Sequence, residues 1–185
     1  QDDSNSLAEE AEAFAKEALA LQPGNPLVTA LYARVAVDGL GDFDKAKFFA
    51  NASMESDDSN PYSLLALSRA RLMHGNFEAA HQSASHARQA ANGVPHIFAW
   101  DMEVCLTALA MNDLQGAHEA AHKAHIHNPT HRAALRYLVA LSQLLGDQPA
   151  TDRATKQLRL LEPAFEPSHL LRADYPVLTL RKTGY

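Results

Sequence analysis

The feature that most constrains this chain is a short phrase that returns at near-fixed intervals. GDFDKA occupies residues 41–46 and GNFEAA residues 75–80, followed by NDLQGA at 112–117 and a degraded GDQPAT at 146–151. The starts, Gly41, Gly75, Asn112 and Gly146, are separated by 34, 37 and 34 residues. A chain that rewrites one local instruction at this interval builds one supersecondary unit repeatedly. Such units must stack, because a single one cannot bury its own apolar face.

The residues after each start identify the unit. Ala46, Ala50 and Ser53 follow the first, Ala80, Ala84 and Ala87 the second, Ala117, Ala121 and Ala124 the third, and Thr151, Thr155 and Leu158 the fourth. Spacings of four and three put each trio on one helical face, mostly small enough to let a neighbouring helix approach closely. Ahead of each phrase stands another helical stretch: PLVTALYARVAV, PYSLLALSRARLM, PHIFAWDMEVCLTALAM and THRAALRYLVALSQLL. Asn25-Pro26, Asn60-Pro61 and Asn128-Pro129 sit at or near their starts, where asparagine caps and proline fits the first turn. Each unit therefore reads as helix, tight turn, helix and polar link. No segment alternates with period two, so no sheet is expected. The opening AEEAEAFAKEALALQPGNP carries Ala11, Ala15 and Ala18 on the same ladder. It reads as a second helix whose first helix is missing, and the expectation is that the chain begins inside a longer array.

Helix pairs with this repeat length, this Gly-x-aromatic-x-x-Ala turn and this small-residue ladder resemble the tetratricopeptide repeat. The resemblance spans residues 7–163 and implies an all-α, right-handed α-α superhelix: a half repeat at 7–23 and repeats at about 26–58, 61–92, 95–128 and 129–163. The third unit departs by three extra residues around 95–111, and the fourth has Gln148 and Thr151 where an aromatic residue and alanine are usual. Residues 164–185 follow the array and are expected to cap its last helix pair, through Phe165, Leu170, Leu171, Tyr175, Val177, Leu178 and Leu180. That tail, with Tyr175-Pro176, Arg181 and Gly184, looks like the end of tetratricopeptide regions in bacterial signalling proteins. There the array follows a winged-helix transcription-factor domain or a class III adenylate/guanylate cyclase domain.

Charge excludes one class of partner. Net charge is -6, with residues 1–60 at -8 and residues 61–185 at +2. Neither part concentrates the basic side chains that grip a phosphate backbone, so direct nucleic-acid binding is not expected. No membrane span or secretory signal is visible, and one cysteine, Cys105, fits a reducing compartment. A cytoplasmic location follows as the expectation.

The chemistry-bearing residues are few. His118, His122 and His125 fall at i, i+4 and i+7 on one helix, with His127 and His131 near and His81 at the matching place one repeat earlier. Such a row can share a metal ion, but no carboxylate motif supports it, and a solvated histidine-rich face is the preferred reading. Cys105 aligns with Ala33, Ser68 and Val139 as a packed core position. No phosphate loop, nucleophile elbow or supported carboxylate pair is present, so neither catalysis nor a cofactor is expected.

Binding is the expected work. The resemblance places a protein or peptide partner in a concave groove lined by the first helices. There the stripes Leu27, Ala30, Arg34, Val37 and Tyr62, Leu65, Arg69, Leu72 are joined by Met102, Leu106, Leu109 and by Ala133, Arg136, Ala140, Gln143. Arg34, Tyr62, Leu65, Arg69, Met102 and Arg136 are the candidate partner-binding residues, the arginines as forks for a carboxylate. Asp38 is the local acid that could occupy Arg34 instead. The lysine and asparagine pattern of chaperone-tail clamps is replaced here by Ala30, Arg34, Ala66 and Ala99. The alternative to partner binding is a homo-oligomerisation module in which the tail and third unit join two copies.

Overall fold

The computed structural model describes residues 2–184, and among them every regular element is helical. Ten α-helices run in chain order: α1 (Asp2–Leu21), α2 (Pro26–Arg34), α3 (Phe43–Met54), α4 (Pro61–Met73), α5 (Phe77–Ala90), α6 (Phe98–Ala110), α7 (Leu114–His127), α8 (Arg132–Leu144), α9 (Gln148–Leu161) and α10 (Leu178–Lys182). A π-helical turn, Val35–Gly39, extends α2, and a 3-10 turn, Pro167–Leu171, lies in the tail. Contacts divide the chain into two compact units, Gln1–Asn92 and Gly93–Tyr185.

The recurring phrase is the turn between paired helices. Its first residue takes the left-handed conformation each time, with φ of 64° at Gly41, 77° at Gly75, 63° at Asn112 and 75° at Gly146. Glycine enters that region without steric penalty and asparagine at little, which explains why these two types open the phrase. The next residue caps the second helix: Asp42, Asp113 and Asp147 each accept a hydrogen bond from a backbone N–H three residues on. Asn25 and Asn60 cap α2 and α4 as the sequence suggests. Asn128 does not cap α8, which starts at Arg132; its side chain instead accepts from Thr130 in a local turn.

In the first unit, α2 packs on α3 and α4, and α4 on α3 and α5. The ladder residues Ala46, Ala50, Ala80, Ala84 and Ala87 have no exposed surface, and Ser53 almost none. Close approach replaces large side chains as the source of buried area. α1 is tied on by Glu12, whose carboxylate accepts from Tyr32 of α2 and pairs with Lys45 of α3 at 3.1 Å. Lys45, and after it Lys16, hold that carboxyl below its ordinary value.

In the second unit, α6 pairs with α7 and α8 with α9. Cys105 and Val139 are wholly buried, as are Ala33 and Ser68 in the first unit. Burial, with Glu103 behind it, pushes the Cys105 thiol far above its usual range, which suits packing and not nucleophilic chemistry. The three extra residues of the third repeat are not taken up by α6, which is as long as α4. They fall in α5 and the link 91–97, where the two units divide. The tail packs on α6 through α10 and on α8 through the 3-10 turn, burying Phe165, Val177 and Leu180.

Candidate functional site

The first repeat holds one residue more than the others between its first helix and its turn. Eight residues separate Ala33 from Gly41, against seven from Ser68 to Gly75, Cys105 to Asn112 and Val139 to Gly146. The structure absorbs the addition as the π-helical turn. Its signature is a backbone bond from Asp42 to Ala36, six residues back, where Asn76, Asp113 and Asp147 reach five back. Single π-turns inside α-helices concentrate at functional sites. This one carries Asp38 and directly follows Arg34.

Beside it opens a cleft of about 510 Å³ between α1 and the end of α2, lined by Leu7, Ala8, Ala11, Arg34, Val35 and Asp38. Arg34 donates from Nε to Asp38 at 2.9 Å and from its terminal nitrogen to the same oxygen. Its side chain stays 28% exposed, and that of Asp38 40%. The pair is wet enough to open for a competing carboxylate, since exposed pairs contribute only about 0–1 kcal/mol.

Tyr62, Leu65 and Arg69 lie on α4, which packs directly on α2 and on the π-turn. Tyr62 and Arg69 are half-buried, whereas Leu65 is 4% exposed and sunk in the core. Met102, in the second unit, is 6% exposed and likewise has little surface to offer.

Arg136 is committed elsewhere. Its guanidinium donates to Glu162 and, through Nε, to the Tyr175 hydroxyl at 3.1 Å, and it lies 5.0 Å over the Tyr175 ring. Tyr175 in turn donates to Glu162 at 2.7 Å. Burial first, then this bond, raises the Tyr175 phenol to about 12. These three residues lock the tail onto α8 and α9. Sequence reading placed Arg136 in the groove because its helical face is right. Its partners lie 26 and 39 positions away, beyond any local pattern.

The histidine row lines a second cleft of about 400 Å³ with Asp147, Arg153 and Gln157. His118 meets the Ser142 hydroxyl at 3.0 Å. Among the described residues, no three histidine, cysteine, aspartate or glutamate side chains are placed to hold a metal ion. His81 belongs to the other unit. His127, in contrast, is drawn to Asp101 of α6 at 2.6 Å, a carboxylate 2% exposed.

His118 and His125 sit below their ordinary value of 6.5, chiefly from burial and then from the neighbouring His122. His131 is lowered by burial and then by Arg136. A depressed histidine favours the neutral form in the fold, so the unfolded chain binds more protons below pH 6.5. Stability present above that value is therefore expected to be lost as pH falls through it. Thermal melts between pH 7.5 and 5.5 should show a falling midpoint, and His118→Gln a shallower fall; a flat profile contradicts the assignment.

No known family's sequence profile matches the chain, and no curated protein matches it. Solved structures do. TTC0263, a thermophilic TPR protein of Thermus thermophilus, is similar at a TM-score of 0.70 and 15% identity, over 85% of this chain and 84% of that one. MamA is similar at 0.66 and 17%, over 84% and 89%. YrrB, described as a TPR protein with an unusual peptide-binding site, is similar at 0.60 and 13%, over 86% and 80%. At these identities the likeness speaks for the fold: helix pairs in the repeat arrangement of tetratricopeptide solenoids.

Proposed function

We propose that this chain is a non-catalytic protein-interaction module that takes a carboxylate-bearing peptide on α2 and α4, with Arg34 and Arg69 as its forks and Tyr62 beside them. The observation carrying this reading is the π-turn beside Arg34. It adds one residue to one repeat, at a half-exposed arginine held by a displaceable acid next to an open cleft. The peptide-binding site named for YrrB, a structural neighbour, supports peptide binding as the work proposed here. Leu65 then supports the surface from beneath, and Arg136 holds the tail as a cap.

The resemblance of the tail supports a finer reading: the sensing arm of a bacterial transcription regulator or cyclase, working in the cytoplasm. Of the residues that carry that resemblance, Phe165 is buried and Tyr175 bonds Glu162, while Arg181 donates to the Tyr175 carbonyl within the tail.

The test is selection of random peptides displayed on phage against the immobilised chain. Recovered peptides should be rich in Asp, Glu or a free C-terminus, and the double variant Arg34→Ala/Arg69→Ala should lose them by roughly tenfold or more, about 1.4 kcal/mol. Equal recovery by the double variant overturns the reading. Asp38→Asn removes the competing acid and is expected to tighten the selected peptides a few-fold, measured by calorimetry.

A second reading, self-association, is favoured by the exposed apolar side chains of the second unit. Leu144, Leu171 and Leu178 are 42%, 82% and 50% exposed near an apolar hollow of about 290 Å³. A solution mass near 20.2 kDa at all concentrations removes it; a mass about twice that, lowered by Leu171→Glu, installs it.

A further inference from the structure

α7 and α9 are the second helices of consecutive repeats, and the cleft of about 400 Å³ that the histidine row lines opens between them. Leu138 and Ser142 of α8 and Ala154 of α9, all buried, form its base. Its walls are polar. α7 supplies His118, His122 and His125 from one helical face, and α9 supplies Arg153 and Gln157, one turn apart. The volume lies in the range of small-molecule sites.

The bonding of these wall groups decides what the cleft can take. His118 meets the Ser142 hydroxyl at 3.0 Å, and Gln157 stands beside the His125 ring. The buried Nδ1 of His125 has no hydrogen-bond partner among the described residues, which leaves that ring incompletely bonded by the fold. Arg153 is exposed and, among the described residues, meets no acid and makes no hydrogen bond. Asp147 also lines the cleft, but its carboxylate accepts from the Ala150 N–H at 2.9 Å, where the start of α9 offsets its charge. Donors therefore exceed acceptors: an unpaired guanidinium, an amide, and imidazoles that donate from both nitrogens once protonated. Such a set suits an oxyanion. A phosphate group offers three acceptor oxygens, enough to span from Arg153 to the imidazoles opposite.

We infer that this cleft binds a phosphate group, with Arg153 as its fork and His118, His122 and His125 supplying positive charge from the facing helix. In the empty cleft Arg153 and Asp147 balance, and burial holds His118 and His125 below their ordinary value. A bound dianion reverses that preference, so binding near neutral pH draws a proton onto the row. The charged groups facing the row are Arg153 on α9, Asp147 in the turn before it and Glu119 on α7 itself. Leu138 and Ser142, which α8 contributes, do not titrate. The site lies wholly in the second unit and shares no residue with the Arg34 surface, so variants of one leave the other in place.

Calorimetric titration at pH 7 tests this, with O-phosphoserine, inorganic phosphate and acetate as ligands in two buffers of different ionisation heat. Both phosphates should bind, and acetate at least roughly tenfold more weakly. Tighter phosphoserine makes the source an esterified phosphate; tighter inorganic phosphate makes it the free ion. The measured heat should differ between buffers, which reports proton uptake, and His118→Gln/His122→Gln should shrink that difference. Arg153→Gln should weaken binding by roughly tenfold or more with circular dichroism unchanged, because the side chain has no partner to lose. Arg34→Ala/Arg69→Ala should bind phosphate as wild type does. Absence of binding, equal binding by Arg153→Gln, acetate as tight as phosphate, or a heat independent of buffer overturns the proposal.

Discussion

Phe165→Ala is expected to destabilise the second unit by about 3–5 kcal/mol, the usual range for truncating a fully buried phenylalanine. The ring is 1% exposed and lies 5.8 Å from that of Tyr175. The backbone there is held from both sides: its N–H donates to Glu162 at 2.8 Å, and its carbonyl accepts from Arg159 at 3.0 Å. Removing the ring opens a cavity where the tail turns back toward Arg136 and Glu162. The tail should then loosen as a segment, taking Val177 and Leu180 from their buried places. Urea unfolding followed by tryptophan fluorescence reads this directly, because the chain's one tryptophan, Trp100, belongs to the second unit. Trypsin should also cleave at Arg172 and Arg181 sooner than in wild type. A loss below about 1 kcal/mol, with unchanged proteolysis, would mean the tail only rests on the surface.

Trp100→Ala is expected to be of similar size, about 3–5 kcal/mol. Trp100 is 1% exposed and opens α6, whose residues 100–103 and 105–109 are all buried. It is the largest of the fully buried side chains, so its truncation leaves the largest volume to refill. For a chain of this size each kcal/mol shifts the melting midpoint by roughly 2–4 °C, so a drop of about 6–20 °C by circular dichroism is expected. Trp100→Phe, which keeps most of the volume, should retain much of the difference. An unchanged midpoint in the alanine variant would contradict the burial.

Much of the fold is legible in the sequence because its instructions are local. The turn needs a left-handed residue followed by a capping side chain, and both must be written at the turn itself. The ladder is legible because close helix packing admits only small residues at fixed intervals. Even the π-turn was countable, as eight residues where other repeats have seven. The binding face was harder to read. In α4 residues 63–68 are buried in succession, because α2, α3 and α5 surround the helix. Apolar periodicity then stops distinguishing an open face from a packed one, and Leu65 and Met102 read as surface when they are core. The pairing of Arg136 with Glu162 and Tyr175 was illegible for a different reason: ion pairs across many residues leave no spacing signature. Asn128 shows a third limit, since the same Asn-Pro pair serves as a cap at two sites and as a turn at another.

The most direct test of the central claim is to map where a selected acidic peptide sits, by titrating it into the isotope-labelled chain and following backbone amide shifts by NMR. The account expects the largest shifts in α2, the π-turn and α4, around Arg34, Asp38, Tyr62 and Arg69, and their loss in Arg34→Ala/Arg69→Ala. Shifts centred instead on the histidine row of α7, or persisting undiminished in the double variant, would contradict it.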